Sequence, residues 1–166
     1  MAVAFVAVGA NMPGPQGSPA EEVAAALGMI GGEGVAVTAR SRLYRSPAWP
    51  DPRDPEFVNA VARVETTLDP ASLLARLHAL EASFGRVRRE VNAPRTLDLD
   101  LIDYDGRISA TGAVPIMPHP RMDERAFVLL PLADVAPDWR HPVSGRVIAD
   151  LVAALPDPGA ATPIEP

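Results

Sequence analysis

The sequence predicts an α+β fold: an antiparallel sheet covered by helices, with more helices added at the C-terminal end. Three observations predict it. Runs rich in β-branched or alternating apolar residues occur at 3–9, 34–44, 57–66 and 97–102. Two segments after residues 18 and 69 carry apolar side chains at three-to-four spacing. Pro and Gly clusters separate these segments as fixed turns. At 166 residues the chain fits one domain with a real core, taken as 1–155, with 156–166 as a frayed tail.

In chain order, residues 3–9 read as a buried strand and end in Gly9-Ala10-Asn11. Ser18-Pro19-Ala20-Glu21 opens a helix, with Ser as N-cap, Pro at the first helical position and Glu closing a capping box. Val23, Leu27 and Ile30 continue it, and Gly31-Gly32 stops it. Residues 34–44 read as one strand. Residues 46–55 carry four prolines and Trp49, a long stiff loop of the kind that tends to serve function. Residues 57–66 form a further strand. Asp69-Pro70 opens a second helix with Leu73, Leu77, Leu80 and Phe84 along its stripe, and Gly85 closes it. The strand containing Asp98 and Asp100 follows, then a hairpin-like turn at Tyr104-Asp105-Gly106-Arg107. Residues 125–132 read as a helix ending near Pro131, and Ser144 as the cap of a last helix. The order β-α-β-β-α-β is the ferredoxin-like arrangement.

Composition excludes several chemistries. There is no Cys, so disulfides, thiolate metal sites and Cys nucleophiles are out. All fifteen basic residues are Arg. Without Lys there is no phosphate loop of the Gly-Lys-Ser type, no protein-kinase lysine and no Schiff base. Phosphate can then be handled only by Arg, His, backbone or metal. A net charge of −6 speaks against nucleic-acid binding. No apolar run is long enough to cross a bilayer. Residues 2–8 lack the basic start of a signal peptide, so the expectation is a cytoplasmic protein.

Four groups of residues carry chemistry. Along the strand, Leu97, Leu99 and Leu101 share one face, and Asp98 and Asp100 share the other, roughly 6–7 Å apart. Paired carboxylates repel unless a cation sits between them, and Mg²⁺ takes one or two carboxylates together with substrate phosphates. The same pair also fits a solvated polar face. Arg86, Arg88, Arg89 and Arg95 set four positive charges against Glu90 in one loop, suited to multidentate phosphate contact or to a solvated basic loop. His119 lies between two prolines and is followed by Arg121 and Arg125. Trp49, Phe57, Asn59 and Phe127 lie in or beside loops, where they can sandwich a flat ring and bond its edge, or simply fill core. His78 sits near the core stripe of its helix and His141 has no evident partner, so both read as structural.

Pro94-Arg95-Thr96-Leu97-Asp98-Leu99-Asp100, and Pro118-His119-Pro120-Arg121-Met122 followed by Arg125 and Phe127, resemble the 6-hydroxymethyl-7,8-dihydropterin pyrophosphokinases. The resemblance runs in order from the first strand to about Pro137. It implies Mg²⁺-dependent transfer of pyrophosphate from ATP to the pterin hydroxymethyl group with release of AMP, in folate biosynthesis. It implies that Asp98 and Asp100 hold two Mg²⁺, and that Arg86 and Arg95 stabilise the transferring phosphoryl group. Arg88, His119 and Arg125 would grip the phosphates, with His78, Glu81 and Leu101 around the nucleotide. Phe57 and Phe127 would stack on the pterin, with Asn59, Asp98 and the Ser46, Pro47, Ala48 and Trp49 segment along its edge. Loops at 10–17, 46–55 and 86–95 would close over the substrates. The partners implied are small molecules, with no membrane or nucleic acid, and the chain would act as a monomer.

Three features depart from that pattern. The Arg86–Arg95 loop is one residue shorter, Asn92-Ala93 stands where an aromatic-Gly pair is common, and Val114 stands where some members carry Arg. All three bear on loop closure and ATP affinity. Two other readings remain on the residues alone. One is another metal-dependent phosphotransferase or nucleotidyltransferase. The other is a noncatalytic ferredoxin-like binding module.

Overall fold

The computed structural model describes residues 1–48, 51–85 and 97–164. The first strand, β1 (Ala2–Ala10), is buried along most of its length. Ser18 caps α1 (Pro19–Met29) through the expected capping box. Its hydroxyl accepts the Glu21 N–H at 3.2 Å, and the Glu21 carboxylate accepts the Ser18 N–H at 3.2 Å. The predicted strand over 34–44 is two strands, β2 (Val35–Arg40) and β3 (Tyr44–Ser46). Both pair with β4 (Phe57–Thr66), β2 along its second half and β3 along its first. The pairs Arg40–Ala62 and Tyr44–Asn59 enclose one more residue on the first side than on the second. Ser41 absorbs the mismatch: its hydroxyl and its N–H both bond Val61, at 2.9 Å each, so the ladder is interrupted without losing its bonds.

Asp69 caps α2 (Pro70–Ser83) by accepting the Ser72 N–H at 2.8 Å, and Gly85 leaves the helix at φ +84°, where an L side chain would be strained. Then comes β5 (Asp98–Tyr104). The turn after it uses positive φ at Asp105 and Gly106. No partner strand follows it among the described residues, and the Asp105 N–H instead donates to the Val3 carbonyl at 2.7 Å. A 3-10 turn (Met122–Glu124) leads into α3 (Ala126–Val135). That helix was expected to end near Pro131 but runs through it. Proline there removes one N–H bond, while Leu129 and Leu132 on either side are fully buried and hold the helix in place. Ser144 does not cap α4 (Ile148–Ala153), which starts after Val147. The Ser144 N–H and that of Val143 donate instead to Nδ1 of His141, which is thereby a turn-forming side chain.

Part of the segment expected to fray is built into the sheet. Ala161 is buried, and β6 (Thr162–Pro163) pairs with β3. Among the described residues the sheet runs β5-β1-β4-β3-β6, with β2 beside β3 on the same edge of β4, and every pair is antiparallel. This is the ferredoxin-like arrangement with one C-terminal strand added.

Alternation divides the sheet cleanly. Ala4, Val6, Val8, Ala60, Ala62, Val64, Leu99 and Leu101 face α1 and α2. Phe5, Val61 and Ile102 face α3, α4 and the C-terminal segment. On that second face a polar pair is buried in the apolar layer: Trp139 Nε1 donates to Asp103 Oδ2 at 3.1 Å. Burial raises the Asp103 carboxyl above its ordinary value, and the indole N–H opposes that shift. A raised folded pKa means stability is lost as pH climbs through it. Trp139→Phe removes the opposing bond, so its cost grows with pH. We expect a loss of about 1–3 kcal/mol at neutral pH and a smaller one near pH 4, read by urea unfolding at both; an equal cost would show packing alone at work.

Candidate active site

The second face is covered at one end only. At the other end, β1 contributes Ala7 and Gly9, β4 contributes Phe57 and Asn59, and β5 contributes Asp98 and Asp100, all on one cavity of about 460 Å³. Ser46, Pro47 and Ala48 close one side, and His119, Arg121, Glu124, Arg125 and Phe127 the other. The β1 residues of the floor, Gly9 and Ala7, are small and so leave the space above them open. Register sets Gly9 between Asn59 and Asp98, and Ala7 between Val61 and Asp100. Asp98 and Asp100 point into the cavity because Leu97, Leu99 and Leu101, at 0–3% exposure, take the other face.

The β5 side is charged. The His119 N–H donates to the Ile102 carbonyl at 2.9 Å, which ties the 118–122 turn to β5 beside the carboxylates. Burial, then the charges of Arg125 and Arg121, push the His119 imidazole down, against the pull of Asp98. Burial and the two neighbouring cations thus favour the neutral imidazole. Arg125 is half-buried. Burial and Arg121 lower its pKa, while Asp100, Glu124 and Asp98 raise it. It stays a cation, because a guanidinium cannot deprotonate at neutral pH. Its guanidinium carbon lies 5.5 Å from the Phe127 ring centre, so the cation and the aromatic wall are one unit.

The β4 side is apolar with a polar edge. Phe57 and Phe127 supply aromatic walls. Among the described residues, Ser46 Oγ and Asn59 Nδ2 are buried without a hydrogen-bond partner, which costs free energy unless a ligand satisfies them. The Ser46–Ala48 segment is anchored at its root. Asp134 on α3 accepts from Arg42 at 3.0 and 3.1 Å and from the Tyr44 hydroxyl at 3.0 Å. Burial and the Asp134 carboxylate push the Tyr44 hydroxyl up to about 12, so the phenol remains a donor.

Ten of the side chains singled out in the sequence therefore meet in one cavity: Asp98, Asp100, His119, Arg125, Phe127, Phe57, Asn59, Ser46, Pro47 and Ala48. Residues 5–137 match the family described as 7,8-dihydro-6-hydroxymethylpterin-pyrophosphokinase (HPPK). The chain belongs to this family. A 2-amino-4-hydroxy-6-hydroxymethyldihydropteridine pyrophosphokinase of Synechocystis sp. is 40% identical over 98% of this chain and 80% of its own length. One from Pseudomonas aeruginosa is 41% identical over 93% of each. The fold is also that of the crystal structure of wild-type Plasmodium falciparum HPPK-DHPS, with a TM-score of 0.65 at 13% identity over 92% of this chain; the chain spans 40% of that longer one.

The remaining residues expected in the pyrophosphokinase site divide into two groups. Trp49, Arg86, Arg88 and Arg95 lie outside the described residues. Glu81, His78 and Leu101 are described but do not line the cavity. Glu81 is 2% exposed, and its carboxylate accepts the Leu99 N–H at 2.7 Å from the α2 side of the sheet. Leu101 belongs to the core beneath α1 and α2, and His78 is half-buried on α2. Conversely, sequence reasoning did not assign Arg121, Glu124, Gly9 or Ala160 to the site, and all four line it. Arg121 was signalled by its place in the Pro-His-Pro-Arg run. Ala160 carried no signal, since it reaches the cavity only through the docking of β6.

Among the described residues no group of three or more Asp, Glu or His converges. That does not fit an all-protein cage, but it does fit Mg²⁺, which is commonly held by one or two carboxylates with phosphate and water filling the rest.

Proposed function

We propose that this pyrophosphokinase transfers the pyrophosphoryl group of ATP to the hydroxymethyl oxygen of 6-hydroxymethyl-7,8-dihydropterin and releases AMP. The observation that carries the reading is one cavity with two chemically distinct ends. An aromatic end has unsatisfied polar atoms at its edge, and a carboxylate end is backed by cations. The first suits a flat heterocycle that brings donors and acceptors to Ser46 and Asn59, with Phe57 and Phe127 on its faces. The second suits a polyphosphate.

Asp98 and Asp100 would hold two Mg²⁺ together with ATP phosphates, supplying charge neutralisation at the transferring group. Arg125 and His119 would bind the phosphates, and Arg121 adds positive charge beside them. Arg86 and Arg95 would stabilise the transferring β-phosphoryl group, and Arg88 would grip the chain of phosphates. In the reaction the hydroxymethyl oxygen forms a bond to the β-phosphorus, and the bond from that phosphorus to the bridging oxygen of AMP breaks. The hydroxyl proton is lost. Such a transfer needs alignment and electrostatics more than a protein nucleophile, and the chain has no Cys to serve as one. Closure of the loops at 10–17, 46–55 and 86–95 would keep water from competing as acceptor. His78, Glu81 and Leu101 would act from behind β5, by shaping the nucleotide side. The same reading takes the protein as a cytoplasmic monomer with small-molecule partners.

The test is product analysis with ATP, Mg²⁺ and the hydroxymethyl dihydropterin. Pterin-dependent AMP is the expected product. ADP or free pyrophosphate would indicate a different phosphotransferase or a nucleotidyltransferase, and no turnover with no ATP binding would indicate a binding module.

A further inference from the structure

Gly9 lies in the cavity floor on β1, directly between Asn59 on β4 and Asp98 on β5. Its φ is outside the left-handed region, so the backbone there would accept any L residue. What matters is the missing side chain. A Cβ built on Gly9 would stand 2.5 Å from Asn59 Oδ1, well inside contact distance, while the next atoms, Asn59 Cγ and the Val58 carbonyl, are at 3.5 and 3.7 Å. Among the described residues, the atom that must move is the carboxamide oxygen of Asn59. The bare Gly9 therefore lets that carboxamide lie across β1, with Nδ2 buried and without a partner among the described residues.

We infer that Gly9 is a positioning residue for the pterin, acting through Asn59. It reserves the space that fixes the Asn59 carboxamide, and so sets which edge of the heterocycle Nδ2 can bond. The inference rests on the proposal that the pterin lies against Asn59. Gly9→Ala displaces a side-chain end and no backbone, so the sheet has no reason to unfold; Ala is, if anything, the better strand residue. The cost falls on recognition instead.

The experiment compares wild type, Gly9→Ala, Asn59→Ala and the double variant. The readouts are fluorescence titration with the hydroxymethyl dihydropterin, ATP binding and thermal melting. Gly9→Ala should weaken dihydropterin binding on the order of tenfold to a hundredfold, the loss of one buried hydrogen bond. ATP affinity should stay within about twofold and the melting temperature should not fall. The double variant should bind the pterin like Asn59→Ala alone, because the Cβ then has nothing to displace. If the two losses multiply in the double variant, Gly9 acts on the ligand directly and the inference fails, although the pterin reading stands. If Asn59→Ala leaves pterin affinity intact, the pterin does not lie against Asn59 and both readings fail. If Gly9→Ala binds normally, the carboxamide tolerates displacement and only the inference fails.

Discussion

Replacing Asp98 with Ala is expected to leave a folded protein whose AMP production falls on the order of a thousandfold or more; Asp100→Ala should behave alike. The carboxylates sit on adjacent outward positions of β5, and β1 presents only Gly9 and Ala7 opposite them. Removing one relieves repulsion between like charges on a single strand, and Leu97, Leu99 and Leu101 keep β5 anchored from its other face. Stability should therefore hold or rise slightly, while the charge that would hold metal and phosphate is halved. Circular dichroism and thermal melting check the first half of that statement. Pterin-dependent AMP formation and calorimetric ATP binding with and without Mg²⁺ check the second. Either variant retaining turnover within about tenfold of wild type, with Mg²⁺-dependent ATP binding intact, would remove the assignment of metal to this pair.

Local chemistry made much of this fold legible in the sequence. Ser18 with Glu21, Asp69 with Ser72, and Gly85 each act within one helical turn, and each does what its spacing implies. The alternation of Leu97, Asp98, Leu99 and Asp100 likewise needs only the pleat of a strand to put both carboxylates on one face. The features that stayed hidden depend on partners distant in sequence. Nothing near residues 34–44 says that Ser41 will take the ladder bonds of Val61 and divide the strand. The polar, Pro-rich C-terminal segment gives no sign that β3 offers it an open edge. Pro131 breaks helices by local rules, and only burial of Leu129 and Leu132 in the second core overrides them. Gly9 is the sharpest case, since its meaning resides in a carboxamide on another strand. For the site, the residue types were legible one by one. Their convergence came through the resemblance to the pyrophosphokinases and not from local spacing, since the cavity draws on several strands and on the 119–128 segment.

Arg125→Ala is expected to lower kcat/KM for ATP on the order of a hundredfold and to change the titration of His119. Arg125 is a half-buried cation whose surroundings include Asp98 and Asp100 as well as Arg121. A planar guanidinium offers phosphate a two-toothed contact that Lys cannot reproduce, so Arg125→Lys should recover only part of the loss. Burial is the first cause of the depressed His119 pKa, and the Arg125 charge is the second. Removing that charge takes away a repulsion against the imidazolium, while Asp98 still favours it. The His119 pKa should therefore rise in Arg125→Ala, followed by NMR titration of the imidazole in the free protein. An unchanged pKa would mean the two charges are insulated from each other. The partition between substrates then separates charge from packing, because the Arg125 guanidinium also lies over Phe127. If the variant weakens ATP and leaves dihydropterin affinity nearly unchanged, Arg125 acts on the phosphates. If both fall together, its main work is to hold Phe127 as the wall of the aromatic end.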